Sequence, residues 1–174
     1  RARLHMTGPI DDDSEIARLI AGKLHPMSED PSRELVLLVG HGSDEAGFRE
    51  RWRRTLDSLA ERVKAIGGYA EADYALLMPD EIPGKMARWR SRRPDLTVLV
   101  APVFLSEGYF TREAVPRRFA GFPHRYGEWA LLPSPLVAEW MARRVAEAWE
   151  RIGSRDGGIG GAGRIRAAEP LIGT

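Results

Sequence analysis

Two short stretches hold residue types able to do chemistry: Gly40-His41-Gly42-Ser43 and Ser106-Glu107-Gly108-Tyr109-Phe110. His41 stands on a glycine-flanked turn directly after an apolar run, Leu35 to Val39. A neutral imidazole so placed can bind a divalent metal or take a proton near neutral pH, and flanking glycines let a ligand approach the backbone. Ser43 or Asp44 is positioned to cap the helix that follows. Ser43 is no nucleophile elbow, because Glu45 stands where the second glycine belongs, and no Gly-Lys-Ser/Thr follows to make a nucleotide-binding P-loop. That argues against a hydrolase built on this turn. Glu107 also follows an apolar run; brought beside His41, it would share a metal or divide proton transfer with it. The plain alternatives are a turn histidine and a solvated glutamate with no chemistry. Tyr109 and Phe110 either stack on a planar ligand or close the core, and core packing is the reading we prefer.

The elements that must position these residues alternate along the chain. Leu35 to Val39 reads as a strand buried on both faces. Phe48, Trp52, Leu56, Leu59, Val63 and Ile66 recur at three- and four-residue steps, an amphipathic helix stopped by Gly67-Gly68. Strands are expected at Ala72 to Met78, Thr97 to Phe104 and Trp129 to Leu132. Helices are expected around Ile82 to Trp89, Glu113 to Phe119 and Leu136 to Arg151. This alternation predicts an α/β fold, a parallel sheet of about four strands flanked by helices on both faces. Such sheets bind ligands beyond the carboxyl ends of the strands, where strand order reverses. If the first and third strands are neighbours, Glu107 comes towards His41.

Residues 34–152 form the expected α/β domain. Residues 1–30 read as a strand–helix unit, with IARLIAGKL echoing VAEWMARRV, and are taken as the possible end of a preceding related half. Residues 153–174 read as a Gly-rich linker and terminal segment. Gly158 to Gly163 spells G-x-G-x-x-G, but it follows a helix instead of a strand and is rejected as a dinucleotide site. His5, His25 and His124 have no partner at ligand spacing and are given surface or structural roles.

Composition sets the outer limits. Hydrophobic content of 43% and charged content of 29% over 174 residues fit a globular protein with a real core. A net charge of +1 gives no nucleic-acid or membrane footprint. No apolar run approaches the roughly 20 residues of a membrane helix and no signal peptide is visible, so a cytoplasmic location is expected. Cysteine is absent, which excludes disulfides, thiolate zinc sites and a cysteine-ligated iron–sulfur cluster in this segment. The chain begins Arg1-Ala2-Arg3, without methionine, as a fragment or trimmed product would.

Four segments together, LLVGHGS, YALLMPDEIPGKM, APVFLSEGYFTREAVPRRF and LLPSPLVAEWMARRVAEAW, resemble the CbiX/SirB-type class II chelatases over about Glu34 to Trp149. The resemblance implies insertion of a divalent metal, cobalt or iron, into a sirohydrochlorin-type tetrapyrrole, without a nucleotide. It also implies a second chelatase-like half, in the same chain or in a homodimer. His41 matches the family's histidine in the first motif. Gly40, Gly42, Ser43, Ser106 and Gly108 are then expected to line the substrate cleft. The family's second loop has the form F-L-x-x-G-x-H, and here Phe110 occupies the histidine's place. Either Glu107 replaces the lost ligand, or this half is degenerate and works without turnover. Arg112, Arg117 and Arg118 are available to meet substrate carboxylates, or else form a solvated helix face.

Overall fold

The computed structural model describes residues 14–155. The strand expected near Arg3 to Ile10 and the glycine-rich segment from residue 156 lie outside the described residues. Within them, β1 (Glu34–Gly42), β2 (Glu71–Met78), β3 (Thr97–Pro102) and β4 (Arg125–Tyr126) form one parallel sheet in the order β2-β1-β3-β4. The helices are α1 (Ser14–Leu24), α2 (Ala46–Gly67), α3 (Ile82–Arg92), α4 (Val115–Arg118) and α5 (Pro135–Arg155).

The alternation of side chains along each strand sorts them into two cores. Val36 and Leu38 of β1 and Leu99 and Ala101 of β3 face one side, packed with Leu56, Leu59 and Val63 of α2, Ile16 and Ile20 of α1 and Val137 of α5. Leu35, Leu37 and Val39, with Val98 and Val100, face the other, against Ile82 and Met86 of α3 and Val115 and Phe119. Both faces are covered, which is why β1 and β3 read as unbroken apolar runs. Helix α2 ends on Gly68, whose φ of +69° is the left-handed cap that a glycine adopts without a Cβ penalty; its N–H donates to the Lys64 carbonyl at 2.9 Å.

Two strand boundaries differ from the sequence reading. β3 stops at Pro102, two residues early, where a proline has no N–H to give the ladder. Trp129 to Leu132 is not a strand; the fourth strand is the short Arg125–Tyr126 segment. The later segment lies beside the extension of β3, with Leu131 N–H donating to Phe104 O at 2.8 Å and Leu132 N–H to Leu105 O at 2.9 Å. Pro133 and Pro135 then remove the donors that a longer ladder would need. Met78-Pro79 and Leu132-Pro133 are cis peptides.

Glu34, 2% exposed, anchors the N-terminal edge of the sheet. It accepts from Ser28 Oγ at 2.5 Å and from Glu29 N–H at 2.8 Å, while Arg125 reaches across from β4 to donate to Met27 O at 2.9 Å. These contacts tie the α1–β1 connection to the far strand. Among the described residues, no helix is long and apolar enough to cross a membrane.

Candidate functional site

Strand order reverses between β1 and β3: the chain leaves β1 for β2 on one side and returns to β3 on the other. The two stretches singled out in the sequence open at the carboxyl ends of these neighbouring strands, the place where parallel sheets bind ligands. Val103 N–H still donates to Val39 O at 2.8 Å, which holds the two exits together. Between them lies an open cavity of about 520 Å³, lined by His41, Ser106, Glu107, Gly108, Tyr109 and Phe110 among others. Helix α2 closes it with Trp52, Thr55, Leu56 and Leu59, and α1 with Ile16. A second hollow of about 510 Å³, with Thr111, Arg112, Tyr126 and Trp129 in its walls, lies on the other side of Glu107, which borders both.

His41 is half-buried at the end of β1, with Nδ1 3.2 Å from the Gly42 carbonyl. The ring of Phe110 stands against it nearly at right angles, with centroids 4.8 Å apart and planes at 80°. Phe104 lies nearly parallel to Phe110 at 5.7 Å. Tyr109 and Phe110 are 60% and 38% exposed, so they form the rim of the cavity and do not close the core, contrary to the sequence reading. The sequence could not decide this, because an aromatic after a strand is equally compatible with either place.

The glycines do different work from that expected. A Cβ at Gly40 would stand 2.7 Å from Leu56 Cδ1, and one at Gly42 (φ +77°) 2.3 Å from the Met78 carbonyl oxygen. Both absences therefore serve packing against α2 and β2. Gly40, Gly42 and Ser43 are not among the cavity walls. Nor does Ser43 or Asp44 cap α2, whose N-cap is Glu45. Ser43 Oγ instead accepts from Glu45 N–H at 3.1 Å, and Arg49 clamps the turn through Ser43 O at 3.0 Å and Asp44 O at 2.6 Å.

Glu107 is exposed, and one carboxylate oxygen takes a 2.8 Å ion pair from Arg112. Arg117 pairs with Glu113 and Arg118 with Asp80, each at 3.0 Å, so all three arginines expected to meet substrate already hold internal carboxylates. Among the described residues, no three His, Cys, Asp or Glu side chains group closely enough to hold a metal ion. His25 lies in a short 3₁₀ turn and His124 beside Phe119, away from the cavity. His5 is outside the described residues.

Beneath the rim, Phe110–Ala114 makes a π-helical turn in which Val115 N–H donates to Phe110 O. Pro116 cannot donate one turn back, so the regular α ladder cannot run through this segment. Thr111, 4% exposed, exchanges hydrogen bonds with Gly108 at 3.0 and 3.1 Å, and Tyr126 Oη donates to Thr111 O at 2.6 Å. Burial pushes the Tyr126 phenol well above its usual range, with Glu128 adding in the same direction. Thr111 and Tyr126 were missed in the sequence, where an isolated threonine and tyrosine carry no pattern. Trp52, Leu56 and Leu59 were legible only as the apolar stripe of a helix.

The sequence profile of the CbiX family matches residues 35–148, well over half of the chain. The chain belongs to the CbiX family. Its fold is similar to that of SirB from Bacillus subtilis, in a structure with Fe3+, at 18% identity and a TM-score of 0.67. That match covers 87% of this chain but 59% of SirB, so the chain spans well under two thirds of that relative's length. DR2241 from Deinococcus radiodurans is described as a multi-domain protein with structural similarity to chelatases and two additional novel domains. It matches at 21% identity and a TM-score of 0.55, over 78% of this chain and 30% of that one. No curated protein sequence matches the chain. The four-stranded parallel sheet is thus a class II chelatase-like fold, and this CbiX domain places His41 and the 103–110 loop around one cavity.

Proposed function

We propose that this CbiX domain inserts a divalent metal, cobalt or iron, into a sirohydrochlorin-type tetrapyrrole. One observation carries the reading: His41 after β1 and Glu107 after β3 border the same open cavity at the switch point of the sheet. Metal insertion releases two pyrrole N–H protons, so the site needs a weak metal ligand and proton acceptors above the macrocycle. Imidazole and carboxylate meet both needs, and suit Co2+ and Fe2+ without distinguishing them. His41 is the first ligand and base. Glu107 is the second once it exchanges Arg112 for the incoming metal, a small cost for an exposed pair. A second chelatase-like half, from the same chain or another copy, supplies the opposite wall; the 41% of SirB without a counterpart here supports that arrangement.

A specific observation favours a second reading, in which this half binds metal or tetrapyrrole without turnover. Phe110 packs directly against His41 and offers neither a ligand nor a base. Incubation with sirohydrochlorin and Co2+ or Fe2+, followed by absorbance, separates the two readings. Insertion above the spontaneous rate, lost in His41→Ala, is the expected result. A rate equal to the spontaneous one, for the full chain, would remove the enzyme reading and leave the binding one.

A further inference from the structure

We infer that the exposed apolar stripe of α5 docks a second chelatase-like half, and seats there as α1 seats on this one. Such docking rests on the reading that a second half supplies the opposite wall of the cavity. The two helices carry the same apolar pattern, IARLIAGKL from Ile16 and VAEWMARRV from Val137. Aligned in this way, their apolar positions fall on two lines. Along the first, Ile16 and Leu19 of α1 and Val137 and Trp140 of α5 are all buried, at 8% exposure or less. Along the second, the helices part. Ala17, Ile20, Ala21 and Leu24 are buried in the core, whereas their counterparts Ala138, Met141, Ala142 and Val145 are exposed.

Met141 and Val145 are 51% and 64% exposed, and Trp149, one turn further on, is 69% exposed. Residues spaced by four lie on one helix face, so these three and the two alanines make a continuous apolar stripe. Glu139, Arg143, Glu147 and Glu150 fall on the opposite side of the helix. Apolar side chains scattered singly over a surface need no explanation. A whole second face does, on a helix already anchored through Val137 and Trp140, and it marks an interaction surface.

What fits the stripe is set by what covers the same positions in α1. Those residues share their core with Leu56, Leu59 and Val63 of α2 and with Leu99 and Ala101 of β3. The complementary surface is therefore an apolar seat between the long helix and the sheet of a chelatase-like half. On this half, and on any second copy of the chain, α1 fills that seat. The occupant is accordingly a half whose seat is open, so that each half receives a helix from the other. The exchange also joins the halves at the cavity, because α1 lines it with Ile16 and touches α5, where Arg143 pairs with Glu15. SirB, of which the match covers 59%, has length to spare for such a half.

The test uses the full chain carrying Ile20→Ala and Leu24→Ala, which loosen α1 in its seat. Synthetic peptides of residues 14–27 and 134–152 are the probes, and circular dichroism follows melting. Each peptide should raise the variant's Tm by about 5 °C or more at saturation, or restore its helical signal where the variant alone is unfolded. A 134–152 peptide with Met141→Asp and Val145→Asp should do neither. The wild type, with its seat filled, should not respond. Stabilisation by the 14–27 peptide alone would overturn the inference, as would no response to either peptide or an equal response to the Asp-bearing one. A wild-type dimer in light scattering, dispersed by Met141→Asp in the full chain, would put a second copy's α5 on the stripe and overturn it too. Metal insertion is read in a separate assay, so the chelatase reading stands or falls on its own result whatever the peptides do.

Discussion

At position 110 a phenyl ring stands with its centroid 4.8 Å from that of the His41 imidazole, where a second nitrogen donor would change what the site can hold. Phe110→His should therefore raise the affinity for free Co2+ by about tenfold or more, read from the cobalt visible bands. If Glu107 already acts as the second ligand, the gain will be small and Glu107→Gln will lower Co2+ affinity instead. Gly42 makes a different residue-scale demand. Its φ of +77° and the 2.3 Å approach of an added Cβ to Met78 O leave no room for any other side chain. Gly42→Ala should cost about 1–3 kcal/mol, measured by urea denaturation, and should displace the β1 exit that carries His41.

The loop that carries Phe110 is held at the scale of the element, through the π-helical turn and the Tyr126–Thr111 bond. Tyr126→Phe should cost about 0.5–1.5 kcal/mol and loosen the rim, seen as faster amide exchange at residues 108–112. Its pH dependence has a definite sign. The folded phenol is raised above its unfolded value of about 10, so its contribution is complete below that pH and is lost as pH climbs towards the folded value. Burial raises Tyr69 and Tyr74 as well. Stability should accordingly decline above pH about 10, and the decline should be shallower in Tyr126→Phe. A decline of identical steepness in the variant would show that the Tyr126 phenol titrates alike in the folded and unfolded states.

Across the whole molecule, α1 is bound into the same core as the sheet. Ile16, Ala17, Ile20 and Leu24 are almost fully buried in the core that α1 shares with α2, β3 and α5, and Arg143 of α5 pairs with Glu15 at 2.5 Å. We propose that residues 14–24 fold as one unit with the sheet and not as part of a separate half. Ile20→Ala should destabilise the entire domain by about 2–5 kcal/mol, with circular dichroism and tryptophan fluorescence reporting one transition. Two separate transitions would show that α1 belongs to a module of its own.

The sequence by itself determined the alternation of strands and helices, the burial of β1 and β3 on both faces, and the two loops that flank the cavity. These are local facts: apolar periodicity and glycine stops are written into neighbouring residues, and a parallel sheet must place both loops at its carboxyl edge. The sequence also showed that Phe110 stands where a histidine was expected. Tertiary structure alone decided which neighbours each group meets. It filled the space above Gly40 with Leu56 and Trp52, tied Glu107 and the three arginines into ion pairs, and turned Tyr109 and Phe110 outward to the rim. It also replaced the expected strand at Trp129 to Leu132 with the two-residue β4. Such outcomes depend on groups far apart in the chain competing for the same space and the same charges, and no local pattern records who wins.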